Sequence, residues 1–424
     1  MYRTLGLLLL ILLMQPSYAG IISLGASEAE ASARVGCLFP MSGRGGLYGR
    51  DSVVGIQLAF EHLQQQPHQY PPLRVLIADS SSKASKATRQ VRDFVRKHHV
   101  NFICGIVNSA IALQVAQVAE EERVFFIGTD HASSRLTQHG PRPYYFRVNN
   151  NSKQSMQAAA QYIRERFGRN SPQTPLRIAY IGPDYDYGYQ AWKDLRTGLT
   201  HEHVNYHVVS ALWPTLYETD YSHYLHALID KPVDLIVNAL WGGDLVAFIQ
   251  QAKQTTLFEH ARFANFDTGG NYEVLAALGD DMPAGLILSS RHHNNWPDTD
   301  ANRWFVKRFF ALSGRYPSYA AEGAYTGILA IAEALRASPP HPDDEHIRRA
   351  LSTLTLKLPE DPTGFKSFMN PDNHQLQQVI AIGETLPNNR FAPARMMLGH
   401  WKIYTPHPAP KNIDPKNIEK THIK

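Results

Sequence analysis

Short apolar runs alternate with amphipathic stretches along most of the chain, a pattern that predicts strands followed by helices. Val35–Phe39 reads as a strand, and Leu47–Gln65 as a helix with Ile56, Ala59, Phe60 and Leu63 on one face. Leu73–Ala78 is the next strand, and Ser82–Lys97 a helix carrying Val91, Phe94 and Val95. Strand Asn101–Val107, helix Ser109–Glu121 and strand Val124–Gly128 complete a first series. After Asn149-Asn150-Asn151 the alternation restarts. Helices Gln154–Phe167, Gly188–His201 and Leu245–Gln254 interleave with strands Leu176–Ile181, Leu235–Ala239, Arg262–Phe266 and Leu286–Ser289. Helices near Asp300–Leu312 and Ala320–Arg336 come later, the second with Ala321, Ala324, Tyr325, Ile328, Ile331, Ala332 and Leu335 as an apolar stripe. Two βα series, each long enough for its own sheet, predict an α/β protein of two doubly wound, Rossmann-like lobes.

The first nineteen residues read as a secretory signal: Arg3, an apolar run from Leu5 to Met14, and small residues at Ser17 and Ala19 that place a cleavage after Ala19. The apolar run is shorter than a spanning helix needs, and Pro16 follows it, which argues against an uncleaved anchor. No cysteine stands directly after the cut, where Gly20 lies, and no later segment has 18 uninterrupted apolar residues. The mature chain is therefore expected in the periplasm, without membrane insertion. From residue 405 on, the sequence lacks a bulky apolar face and is expected to be disordered.

The chain has 424 residues, with 42 basic and 38 acidic side chains. This balance gives no reason to expect nucleic acid as a partner. Two cysteines exclude a disulfide-stapled scaffold. Cys37 and Cys104 fall on strands that are neighbours in the common doubly wound order, so a bridge is open, but two buried free thiols are the expectation. Catalytic signatures are missing. There is no phosphate loop and no Gly-x-Ser-x-Gly elbow, and in Gly43-Arg44-Gly45-Gly46-Leu47-Tyr48-Gly49 the residue Tyr48 occupies the third glycine position of a dinucleotide fingerprint. His201-Glu202-His203 has the wrong spacing for a zinc helix. No cofactor and no metal are expected.

Phe39-Pro40-Met41-Ser42-Gly43, Tyr48-Gly49 and Gly55-Ile56-Gln57-Leu58-Ala59 resemble the start of the periplasmic branched-chain amino-acid-binding family. So do Leu76-Ile77-Ala78-Asp79-Ser80 and Cys104-Gly105-Ile106-Val107-Asn108-Ser109. Ala179-Tyr180-Ile181 with Asp186-Tyr187-Gly188 is similar to the start of the family's second domain, and Asn370-Pro371-Asp372-Asn373-His374 to a late segment of its amide- and urea-type members. The likeness runs from about Arg34 to Tyr404. It implies a type I periplasmic binding fold: lobe 1 of residues 34–150 and 293–375, lobe 2 of residues 151–292 and 376–404, and a multi-strand hinge. It also implies a solute held between the lobes and delivered to the permease of an ATP-driven importer.

Ligand contacts are expected where strands end and helix N-termini converge. Tyr48, Tyr187 and Trp241 align with aromatic cleft positions; turn packing or lobe core is the structural alternative for each. Ser109, flanked by Asn108 and Ala110, opens a helix and offers a hydroxyl and backbone N–H groups to a carboxylate, or simply caps. Asp267 aligns with the acid that pairs with a ligand ammonium in amino-acid binders. The sequence departs from the family at Asp130-His131-Ala132, where leucine-type binders have a Thr at the position of Ala132. An ionised Asp130 would repel a ligand carboxylate; this puts leucine in doubt and suggests an amine, amide or hydroxyl partner. The expected function is capture of an amino acid, amide, urea or related amine for import. A ligand sensor of the same fold, and an exported hydrolase using Asp130, His131 and a serine, are the alternatives.

Overall fold

In a computed structural model, residues 20–66, 69–168 and 174–406 are described. Residues 1–19 and most of the expected tail lie outside them; Thr405 and Pro406 are half-buried directly after the last strand. The elements in chain order are β1 (Ile22–Gly25), β2 (Ala33–Phe39), α1 (Gly46–Gln64), β3 (Leu73–Asp79), α2 (Ala84–His98), β4 (Phe102–Gly105), α3 (Ser109–Glu121), β5 (Phe125–Gly128) and β6 (Tyr145–Arg147). Then come α4 (Ser152–Phe167), β7 (Leu176–Ile181), α5 (Asp186–His201), β8 (Tyr206–Leu212), α6 (Ser222–Ile229), β9 (Leu235–Asn238), α7 (Gly242–Ala252), α8 (Leu257–His260), β10 (Arg262–Asn265), α9 (Tyr272–Leu278) and β11 (Ile287–Ser289). The chain ends with α10 (Asp300–Ser313), α11 (Tyr319–Arg336), α12 (Asp344–Ser352), β12 (Thr355–Leu356), β13 (Ser367–Asn370), β14 (Gln375–Gln377), β15 (Ile380–Pro387) and β16 (Met396–Tyr404).

The strands form two sheets, ordered β1-β3-β2-β4-β5-β6-β14-β13-β12 and β16-β15-β11-β10-β9-β7-β8. The parallel centres, β3-β2-β4-β5-β6 and β8-β7-β9-β10-β11, share one doubly wound order. In such an order the loops at the strands' carboxyl ends line a crevice, and here two crevices face each other. The chain passes between the sheets after β6, after β11 and after β14. The first passage ends in a capping box, Asn151 with Gln154, which fixes where α4 begins.

Parallel strands buried on both faces read as continuous apolar runs, and Val35, Cys37, Leu38 and Phe39 are all inaccessible. The helix at Tyr319–Arg336 is buried on nearly every side because it packs against α1 and α12.

Cys37 and Cys104 are direct register partners on β2 and β4 and form a disulfide, Sγ–Sγ 2.07 Å. This corrects the expectation of free thiols. Strand adjacency followed from the fold class; the register that brings the Cα atoms to 4.5 Å did not. Strand β4 is also shorter than the apolar run suggested. Gly105 (φ +113°) and Ile106 (φ +70°) turn the chain before Val107. A Cβ at Gly105 would lie 2.4 Å from the Leu38 carbonyl oxygen, so only glycine fits there.

Candidate functional site

That turn carries Val107 and Ser109 to the gap between the sheets. Val107, Ser109, Asp130, Ala132 and Tyr319 from the first sheet's side meet Tyr185, Tyr187, Trp241, Thr268 and Arg291 from the second around one small cavity. Apart from Tyr319 at the start of α11, these side chains follow the carboxyl ends of β4, β5, β7, β9, β10 and β11. The enclosed space is about 20 Å3, room for roughly one water molecule. The two walls are in contact: the Tyr48 and Trp241 rings lie 6.1 Å apart, and Arg44 stands 4.9 Å over the Tyr217 ring. Arg135 pairs with Asp186 at 3.0 Å.

Arg291 dominates the interior. Its Nε and Nη2 donate to Asp267 Oδ1 and Oδ2 at 3.1 and 2.8 Å, its Nη1 donates to the Asp130 carbonyl, and its charge lies 5.0 Å over the Tyr319 ring. Asp267 also accepts from Ser155 Oγ (3.1 Å) and Tyr187 Oη (2.7 Å). Four accepted bonds use the lone pairs of a carboxylate. Burial alone would raise Asp267; the Arg291 charge and these hydrogen bonds outweigh it and hold the carboxyl below its usual range. Burial likewise works against the Arg291 charge, and Asp267 overrides it.

Of the residues expected to contact ligand, Ser109, Asp130, Tyr187 and Trp241 line the cavity. Ser109 Oγ accepts from the Ser133 N–H at 3.2 Å, which leaves its own O–H without an acceptor among the described residues. Asp130 is buried, takes a bond from the Thr129 hydroxyl on Oδ2, and among the described residues has no hydrogen-bond partner on Oδ1. Burial pushes its carboxyl up to about 7. Tyr48 stands just outside, packed on Trp241 and Tyr319. Asp267 lies one layer behind the wall, where it holds Arg291 instead of facing a ligand.

Three expectations place differently. Asn108 spends its side-chain oxygen on the N–H groups of Ala110 (2.9 Å) and Ile111 (3.2 Å), so it caps α3 and occupies the donors that a carboxylate would use. Ala110 therefore offers no free N–H. His131 is fully buried in the first sheet's lobe, with Nδ1 on the Ile106 carbonyl (2.8 Å) and Nε2 on Tyr145 Oη (2.6 Å). Burial holds its pKa down at about 3, and it makes no couple with Asp130. Val107, Tyr185, Thr268, Arg291 and Tyr319 were not anticipated. The usable signal for Arg291 was its place two residues beyond the apolar run Leu286–Ser289.

Two α/β lobes with a buried, side-chain-lined crevice between them and several chain crossings define a hinged solute-binding protein. A profile of the periplasmic binding protein family matches residues 32–389, and the chain belongs to that family. The Leu/Ile/Val-binding protein homolog 7 of Brucella abortus is 25% identical over 370 residues, spanning 85% of this chain and 90% of the relative. Among solved structures, an ABC-transporter solute-binding protein of Rhodopseudomonas palustris BisB5, in complex with 3,4-dihydroxybenzoic acid, superposes with a TM-score of 0.76 at 18% identity, covering 89% of this chain and 98% of the other. The amino acid ABC transporter substrate-binding protein of Pseudomonas fluorescens Pf-5 superposes with a TM-score of 0.75 at 20% identity, covering 88% and 96%. The protein is thus a periplasmic solute-binding protein and not an enzyme.

Proposed function

We propose that, after export and removal of residues 1–19, the protein captures one small polar solute in the crevice between its lobes and presents it to its permease. The lobes of the reading are residues 34–150 with 293–375, and 151–292 with 376–404. The observation that carries it is the convergence of loops from both sheets on one buried cavity, with Ser109 and Asp130 on one wall and Trp241 and Arg291 on the other. The Cys37–Cys104 bridge supports delivery to an oxidising compartment. The solute class expected from the sequence is an amino acid, amide, urea or related amine. Asp130, with Oδ1 unpartnered among the described residues, supports a solute that offers a hydrogen bond there. Asp267 lends no support to an ammonium contact, because its oxygens are spent on Arg291, Tyr187 and Ser155.

Calorimetry with amino acids, amides, urea, amines and organic acids tests the reading. One-to-one binding that weakens more than tenfold in Trp241→Ala, about 1.4 kcal/mol or more, is expected. No heat with any compound, or equal heat in the variant, contradicts it.

A further inference from the structure

The guanidinium of Arg291 has five N–H donors. Three are committed: Nε and one Nη2 hydrogen to Asp267, one Nη1 hydrogen to the Asp130 carbonyl. One donor on each terminal nitrogen has no hydrogen-bond partner among the described residues. Because Asp267 takes the Nε–Nη2 edge, planarity puts the remaining Nη2 hydrogen on the edge shared with Nη1, and Arg291 is on the cavity wall. Ser109, on the same cavity, has an unspent hydroxyl proton.

Much of the rest of the wall is ring surface, from Tyr185, Tyr187, Trp241 and Tyr319. Trp241 Nε1 donates to Tyr185 Oη at 3.1 Å, and Tyr187 Oη donates to Asp267. The indole N–H and the Tyr187 hydroxyl are thus spent within the protein, and Thr268 donates to the Leu240 carbonyl at 3.3 Å, so the walls offer chiefly ring faces and edges with the apolar Val107 and Ala132, and the hydroxyls of Tyr185 and Tyr319 at the ring tips. Resting on the solute-binding reading above, we propose that the solute is a small aromatic carboxylic acid, its carboxylate gripped by the free edge of Arg291 and the Ser109 hydroxyl and its ring enclosed by Trp241, Tyr185, Tyr187 and Tyr319.

An ammonium is the poorer fit. Its expected acceptor, Asp267, is saturated, and at Asp130 it would sit beside the guanidinium that bonds the carbonyl of that same residue. The repulsion expected between Asp130 and a ligand carboxylate is relieved when Asp130 keeps its proton, as its burial favours. The groups facing Asp130 are Thr129 and Arg291, which favour its charge, and Glu322 on α11, which opposes it; Tyr319 lies nearby.

The test is calorimetry of the mature wild-type protein with benzoate, 4-hydroxybenzoate, benzamide, benzylamine, leucine and urea. Benzoate or 4-hydroxybenzoate is expected to bind one-to-one, and benzamide and benzylamine at least 100-fold more weakly. Arg291→Lys, which keeps the charge opposite Asp267 but loses the planar fork, is expected to weaken the acid at least 100-fold; its thermal midpoint reports that it is folded. If Arg291→Lys does not fold, the benzoate-to-benzamide ratio on wild type decides alone. Binding of leucine, benzylamine or urea without either benzoate overturns this inference and leaves the solute-binding reading standing. Equal binding of benzoate and benzamide also overturns it. Silence from every compound, or binding indifferent to Trp241→Ala, overturns both.

Discussion

Arg291 and Asp267 form an ion pair with side-chain exposures of 6% and 1%, deep enough that bulk water does not replace either partner. Asp267→Ala leaves the guanidinium without a counter-charge, which costs about 3–5 kcal/mol. A lowered denaturation midpoint in the absence of any solute checks this; an unchanged midpoint would place Asp267 at a ligand contact only. Asp130 gives a pH test. Its carboxyl ionises near 3.8 in the unfolded chain and, raised by burial, at about 7 when folded. Between those values the unfolded chain releases a proton that the folded chain keeps, so this group's contribution to wild-type stability declines as pH rises and levels off above about 7. Asp130→Asn lacks that decline. Its midpoint should gain on wild type between pH 4 and pH 7, and a constant difference would mean that Asp130 ionises normally. At this scale the sequence pointed to Ser109, Asp130, Tyr187 and Trp241, which line one cavity, because each follows a legible strand. Asn108, His131 and Asp267 lie off the cavity wall, because position along the chain does not say which side chain turns inward to cap, to bond a carbonyl, or to hold an arginine.

Helices α1 and α11 are packed so closely that a Cβ at Gly55 would lie 2.0 Å from the Ala321 carbonyl oxygen. The obstacle is backbone, so Gly55→Ala must push the two helices apart; a loss of about 1–3 kcal/mol is expected from denaturant titration. The Cys37–Cys104 bridge closes a separation of 67 residues. On loop-closure entropy alone, replacing both cysteines by serine should remove about 4 kcal/mol, visible as a lower thermal midpoint than the oxidised protein. An unchanged midpoint would show that the thiols contribute by packing only. The central strands and long helices were legible because their periods are clear over many residues. Strands β6, β12 and β14 are only two or three residues long, and β8 is only partly buried, so their patterns carry little signal. Strands β15 and β16 pair antiparallel at the edge of the second sheet, outside the βα alternation that guided the reading.

Both sheets point their carboxyl strand ends at the same crevice, and the walls meet there through Tyr48 with Trp241, Arg44 with Tyr217 and Arg135 with Asp186. A cavity of about 20 Å3 cannot admit an organic solute without separation of those walls, so entry and release require the lobes to move about the three crossings. A solute that touches both walls then stabilises the shut arrangement by its extra contacts there. The two-lobed plan was readable from the repeated βα series; the closeness of the walls was not, because it depends on side chains far apart in sequence. A crystal structure of the protein with the tightest binder from the calorimetric series tests the whole account most directly. The solute should lie between Ser109 and Asp130 on one side and Trp241 and Arg291 on the other, sealed by both lobes. A solute bound on one lobe's outer surface, with the crevice still filled by Arg291 and its neighbours, would contradict it.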